Sequence, residues 1–325
     1  MATKELNRLG ITEIAKRTNN GNVVTVAEVL SRYDEWLEDA VWIACNNVGS
    51  HVHTRRMTLP DGTWRTFNAG ATIESSVTKQ VVENVGRLES WSQVDEAVVQ
   101  TLLGDQAKFL STEEMAFVMG LGQTLTETFV GGDTVTTPEK FDGLRIRTNA
   151  LGTYVKGVGG SGSDTTSIFF IQWGEQACHM IYQPAVGGAS PGAPVMVNPQ
   201  GLETIADSSG GLFRGYRTQF VVTAGLAVHD DRCLTRLTNI EDDVSGTNIF
   251  EPDYAVELLR SMIRGGKGAY GYAHQKVLSQ IDVLAMDKVN ALYTINEVFG
   301  EQQTMFRGIP LRQLDAIGLT ETVVA

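Results

Sequence analysis

The middle of the chain carries the clearest periodic pattern of apolar and polar positions. Apolar or small residues recur there every three or four positions over about five turns, which is the spacing of one helical face. These residues are Met115, Val118, Gly122, Leu125 and Phe129. Ser111 and Glu114 have the spacing of a capping box, and Gly131 and Gly132 can end a helix without backbone strain. We predict a helix over about residues 112–130 whose four large apolar side chains lie in the core.

A polar segment over residues 49–69 has the pattern of a β-hairpin. Two runs rich in Thr, Val, Trp and Phe flank the sequence Pro60-Asp61-Gly62, which has the chemistry of a turn. The first run is polar on both faces, so the hairpin has little to bury in its own chain. An isolated hairpin is marginally stable in water. We therefore expect this hairpin to lie on another molecule.

The remaining apolar segments predict strands and helices in separate groups. Apolar-rich runs predict strands at 167–173 and 178–182, Pro252 is placed to open a helix, and residues 144–147 begin to alternate like a strand. The Gly- and Pro-rich residues 184–211 are expected to form a loop. Because strands and helices are grouped rather than strictly alternating, we predict an α+β fold.

Composition narrows the classes of function. The chain has 325 residues, of which 42% are hydrophobic and 20% charged, as in ordinary globular proteins. Its net charge of -12 argues against a protein that binds nucleic acid through contacts with the phosphates. Three scattered cysteines suit a reducing compartment better than a disulfide framework. No apolar run approaches the roughly 20 residues of a membrane span, and the first residues lack the apolar core of a secretory signal.

Candidate chemical motifs are weak. Residues 157–162 match G-x-G-x-x-G, but a strand follows where a dinucleotide site needs a helix N-terminus. His51 and His53 would lie on one side of a strand, yet no third ligand has recognisable spacing, so a zinc site is not expected. The serines lack a nucleophile elbow. We expect no catalytic, cofactor or metal site, and hence no enzyme.

Six sequence blocks, in this order along the chain, resemble a known family. They are KELNRLGITEIAKRT at 4–18, LESWSQVD at 88–95, PEKFDGL at 138–144, GSDTTSIFFIQWGE at 162–175, RLTNIE at 236–241 and MFRGIPLRQLDAI at 305–317. Together with the order of arm, polar hairpin, long helix and mixed β and α segments, they resemble the major capsid proteins of tailed bacteriophages. The encapsulins share that fold, and the resemblance is greatest to the group containing phage epsilon fifteen.

The resemblance implies a fold in four parts. An N-terminal arm and a projecting hairpin, called the E-loop, extend over neighbouring subunits. A P-domain contains the long helix as its spine. An A-domain lies around the five- and six-fold axes. The implied ranges are 1–48 for the arm, 49–80 for the E-loop, 81–150 and 217–241 for the P-domain, and 151–216 and 242–325 for the A-domain.

The resemblance also implies a function. The chain would be a major capsid protein whose copies form the hexamers and pentamers of an icosahedral shell around double-stranded DNA, assembled in the host cytoplasm and located in the virion. Its partners would be a separate scaffolding protein, a portal and an optional decoration protein. An acidic shell would not bind the DNA that is packaged into it. An encapsulin-like compartment shell is the first alternative, and a soluble enzyme with an unrecognised site is the second.

In some members of the resembling family, an isopeptide bond between a lysine of the E-loop and an asparagine of the next subunit cross-links the two subunits covalently. This chain has no lysine from Gly49 to Thr78. Arginine stays charged near neutral pH and pairs with carboxylates through its planar fork. We therefore predict non-covalent contacts between subunits, in which arginines pair with carboxylates and two aromatic side chains add apolar contact. The predicted contact residues are Arg55, Arg56, Trp64, Arg65 and Phe67.

Overall fold

The computed structural model describes most of the chain beyond the N-terminal arm. The described residues are 18–19, 22–23, 35–47, 49–101, 106–184, 194–243, 246–286, 293–298 and 301–325. Most of the predicted arm, including its first helix, lies outside them. None of the described helices is long and apolar enough to cross a membrane.

The described residues contain six α-helices and sixteen strands. The helices are α1 (Trp36–Asp39), α2 (Glu96–Gln100), α3 (Gln106–Gly131), α4 (Leu144–Arg147), α5 (Pro252–Ser261) and α6 (Gln275–Met286). The strands are β1 (Thr18–Asn19), β2 (Asn22–Val23), β3 (Trp42–Ala44), β4 (Ser50–Thr58), β5 (Val77–Asn84), β6 (Gly86–Asp95), β7 (Val155–Gly157), β8 (Thr165–Ile171), β9 (Cys178–Tyr182), β10 (Val195–Ala206), β11 (Leu212–Val228), β12 (Leu234–Glu241), β13 (Tyr270–Ala273), β14 (Tyr293–Val298), β15 (Glu301–Phe306) and β16 (Ile309–Gln313).

Helix α3 is the predicted central helix, but it begins earlier than predicted. It starts at Gln106, so Ser111 lies inside the helix and does not cap it. The predicted end at Gly131 is confirmed. The added first turn includes Phe109, which is buried in a small core.

The buried face of α3 also differs from the predicted one. Leu125 and Phe129 are 6% and 0% exposed, whereas Met115 and Val118 are 56% and 42% exposed in the single chain. The core prediction is therefore corrected for Met115 and Val118. The buried large apolar side chains of α3 coincide with the predicted face only at its C-terminal end. They are Phe109, Leu121, Leu125, Phe129 and Val130.

Two glycines form the sharp turn that follows α3. A Cβ on Gly132 would lie 2.3 Å from the carbonyl oxygen of Phe141, and one on Gly143 would lie 2.6 Å from that of Phe129. The Gly143 amide donates to the Gly132 carbonyl at 2.9 Å. This close backbone approach leads into α4, so residues 144–147 are helical and the predicted strand there is wrong.

The chain divides into two compact units. The first comprises the described residues within 1–33, 87–126 and 193–223, and the second comprises the described residues within 34–86, 127–192 and 224–325. The predicted division into P-domain and A-domain stays a prediction. Hydrogen bonding nevertheless joins β8 to β12, which that prediction assigns to different domains.

The first unit contains a long antiparallel pair made by β10 and the first part of β11. Strand β10 lies where a loop was expected over 184–211. It is exposed along most of its length and has a register shift between Pro199 and Gly201, so it lacks the alternation of a half-buried strand. A small core of Val94, Val99 and Phe109 lies in the same unit.

The second unit is built on a seven-stranded sheet with the order β14-β15-β16-β13-β8-β12-β7. Strand β8 is buried along its whole length, as expected for a strand covered on both faces, and helices α5 and α6 supply apolar side chains to the core. The strands predicted at 167–173 and 178–182 and the helix opened by Pro252 are confirmed.

Candidate functional site

The hairpin predicted from the sequence exists, but its return strand lies further along the chain. Strand β4 pairs antiparallel with β5, from Ser50 opposite Asn84 to Thr58 opposite Val77. The Pro60-Asp61-Gly62 sequence is therefore not the hairpin turn. It belongs to a long connection, residues 59–76, which we call the tip. Every residue of the tip is exposed.

The tip presents large apolar side chains to solvent. Trp64, Phe67 and Ile73 are each essentially 100% exposed. An aromatic side chain of this size buries about 150–250 Å² when it is covered. Large apolar side chains that their own chain leaves uncovered are candidates for contact with another molecule. Ile73 was not predicted as a contact residue, because a single isoleucine in a polar run gives no periodic signal.

The arginines of the hairpin differ in their surroundings. Arg56 is exposed and has no ion pair within the described part of the chain. Arg65 is exposed and donates from Nη1 to the Ala69 carbonyl oxygen at 2.9 Å. Arg55 is partly buried, pairs through Nη1 with Asp231 Oδ1 at 2.8 Å and donates from Nη2 to the Val228 carbonyl. Arg55 therefore holds the hairpin to its own chain, and its contact with a neighbouring subunit stays a prediction.

A second, more buried ion pair anchors the base of the hairpin. Arg147 donates from Nη1 and Nη2 to the two carboxylate oxygens of Glu83, at 3.0 and 2.7 Å, and from Nη2 to the Leu226 carbonyl oxygen at 2.8 Å. Burial lowers the pKa of Arg147, but the hydrogen bonds and charge of Glu83 outweigh it and leave the pKa raised. The pair fixes β5 against β11 through a bidentate geometry that only arginine provides.

Four of the five histidines meet at the same base. His51 and His53 lie on β4, His179 lies on β9, and His229 follows β11. The rings of His53 and His229 are stacked with centroids 4.1 Å apart, and the centroid of His179 lies 5.0 Å from that of His229 and 5.5 Å from that of His51. We call these four residues the histidine cluster. Sequence spacing did not reveal it, because its three segments meet only through the tertiary fold.

Burial sets the charge of the histidine cluster. It lowers the pKa of all four imidazoles, with smaller contributions from neighbouring charges, and brings those of His53 and His179 to about 4. The rings are therefore neutral at pH 7. Ligand nitrogens of His51, His179 and His229 all lie within 4.8 Å of one another, which places three potential metal ligands together.

Comparison with known proteins decides the family. A family model described as major capsid protein GP7 matches residues 18–325. The chain belongs to the major capsid protein GP7 family. Its place is thus in the virion, and the predicted resemblance to tailed-phage capsid proteins is confirmed.

Solved structures agree with membership of this capsid protein family. The structure of bacteriophage Epsilon15 matches with a TM-score of 0.73 and 28% identity, covering 100% of this chain and 99% of that chain. The bacteriophage JBD30 capsid matches with a TM-score of 0.51 and 10% identity, covering 90% and 93% of the two chains, which shows the fold alone. No curated protein matches the sequence. The predicted α+β capsid fold is confirmed, and the phage capsid function is favoured over a compartment shell.

Proposed function

We propose that this capsid protein forms hexamers and pentamers of an icosahedral shell around double-stranded DNA, and that the tip docks on a neighbouring copy. The observation that carries the docking proposal is the full exposure of Trp64, Phe67 and Ile73 in the single chain. Covering one large apolar side chain contributes about 1.5–3 kcal/mol. A second copy of the chain is the proposed occupant, because a shell of one protein offers each tip an identical receptor.

The charges of the tip and of the chain fit this arrangement. Arg56 and Arg65 are exposed on a chain with a net charge of -12, so carboxylates are plentiful on a facing copy. The acidic chain would repel DNA rather than bind it, which suits a container that a motor fills. The role is structural rather than catalytic. A separate scaffolding protein, a portal and a decoration protein are the proposed partners, and assembly would take place in the host cytoplasm.

The tip proposal is tested with the double variant Trp64→Ser/Phe67→Ser. We expect its subunits to melt like the unchanged protein, because neither side chain is covered in its own chain, but to fail to form closed shells in electron micrographs. The matched control is Val135→Ser, which replaces another exposed apolar residue outside the tip. Shells of normal yield and heat resistance from the double variant would contradict docking by the tip.

The same particles test the non-covalent contact. Boiled and reduced shells of the unchanged protein should run as a single band near 35.3 kDa, the mass of the chain. A ladder of multimers would show that subunits are joined covalently.

A further inference from the structure

We propose that His51, His179 and His229 form a binding site for a transition-metal ion, with Zn²⁺ as the natural occupant. The ion would join the hairpin strand β4 to β9 and to the end of β11. This site belongs to a single chain, so the proposal does not depend on the shell or on the docking of the tip.

The first argument is the state of the ring nitrogens. Both nitrogens of His53 and His179, Nδ1 of His51 and Nε2 of His229 are buried and lack a hydrogen-bond partner of normal geometry within the described residues. Buried polar atoms are ordinarily paired, because an unpaired one keeps the cost of losing water. A bound ion would satisfy one nitrogen of each ligand and remove much of that cost.

The second argument is the distance between the ligands. Tetrahedral Zn²⁺ with bonds of about 2.1 Å places its nitrogen ligands about 3.4 Å apart. The ligand atoms of the three histidines lie within 4.8 Å of one another, so modest side-chain rotations bring them to an ion. The rings of His51 and His179 meet edge to face at 86°, which lets their nitrogens converge rather than stack.

The third argument is the chemistry of the surroundings. Imidazole nitrogens are good ligands for Zn²⁺, Cu²⁺ and Ni²⁺, and three of them meet here. Both carboxylate oxygens of Glu83 accept hydrogen bonds from Arg147, so Glu83 is not available as a ligand. The fourth coordination position of the ion is therefore left to water or to His53.

The test uses full-length protein without a histidine tag. The protein is dialysed against a chelator, equilibrated with Zn²⁺ or Co²⁺, freed of unbound metal by gel filtration and analysed for metal by mass spectrometry. We expect one ion per chain, a higher melting temperature with the ion than without it, and the visible absorption of four-coordinate Co²⁺ with nitrogen ligands. Protein that retains no ion would overturn the proposal, as would a thiolate-to-cobalt charge-transfer band, which would place the metal at cysteine.

Two single variants and one control locate the ion. His51→Gln and His229→Gln should each reduce metal retention at least tenfold, while circular dichroism of the metal-free protein stays unchanged. The control is His274→Asn, which alters the fifth histidine. His274 Nδ1 accepts from the Lys276 amide at the start of α6, a role that asparagine retains. Equal retention by the His51 and His229 variants and the control would overturn the proposed ligand set.

Discussion

The carboxylate of Glu321 holds together a buried ionic cluster whose loss should be measurable. Its side chain is 2% exposed and pairs with Arg145 Nε at 2.6 Å and with Arg236 Nη2 at 3.0 Å. The Ser167 hydroxyl also donates to it. Burial lowers the pKa of Arg236, and the charge of Glu321 acts against that shift. Among the described residues, Glu321 is the carboxylate that compensates the buried charge of Arg236.

Glu321→Gln removes the negative charge and keeps the shape. Removing one partner of a buried ion pair costs about 3–5 kcal/mol, because the other charge stays buried. Arg145 is partly exposed and can turn to water, and Arg236 retains a 2.9 Å hydrogen bond to the Thr148 carbonyl oxygen. We therefore expect a loss near the lower limit, about 3 kcal/mol, from a total stability of about 5–15 kcal/mol.

The assay is urea unfolding of unassembled subunits, followed by circular dichroism. The matched control is Glu257→Gln, whose carboxylate is 58% exposed and pairs with Lys156 Nζ at 2.8 Å in the same compact unit. An exposed pair of this kind contributes about 0–1 kcal/mol. Equal unfolding midpoints for the two variants would refute the reasoning.

A second substitution separates charge from packing. Glu321→Gln/Arg236→Met removes the uncompensated cation, so the double variant should recover much of the stability lost by Glu321→Gln. If the double variant is less stable than Glu321→Gln, the loss comes from side-chain packing and not from an unpaired charge.

Two further predictions concern the spine helix and the arm. Phe129→Ala should lower the free energy of unfolding by about 3–5 kcal/mol, because the Phe129 ring is buried and stacks on Trp36 with ring centroids 4.0 Å apart. Met115 is exposed, so Met115→Ala should change that free energy little. Equal losses for the two variants would place Met115 in a core. Deletion of residues 1–20 should leave a subunit with unchanged circular dichroism that does not close shells, and an unfolded product would assign the arm to the subunit core.

The elements that could be predicted from the sequence are those with strong local signals. The C-terminal end of α3 follows from paired glycines, and β8 follows from an unbroken apolar run. The start of α3 was misplaced because Ser111 and Glu114 imitate a cap inside a helix that continues. Strand β10 was missed because exposure on both faces removes the alternation by which strands are recognised.

The site was less predictable, because its parts lie far apart in the chain. A local turn sequence pointed to a short hairpin, whereas the true return strand begins at Val77. The partner of Arg55 is Asp231, and the partners of His51 are His179 and His229. No spacing rule connects such positions, since only the order of the strands in the fold brings them together. Trp64 and Phe67 are uncovered in their own chain, and their contact with a neighbouring subunit stays a prediction.

The separation of the tip from the subunit core has a genetic consequence. Because Trp64 and Phe67 are not covered in their own chain, a lesion in the tip leaves folding intact, and the altered chain accumulates as the normal one does. If the tip docks on a neighbouring copy as proposed, altered chains in a cell that makes both forms enter the same shells, and each one leaves a neighbour without its contact. Tip lesions should therefore be dominant, whereas core lesions such as Phe129→Ala, which remove the chain before assembly, should be recessive.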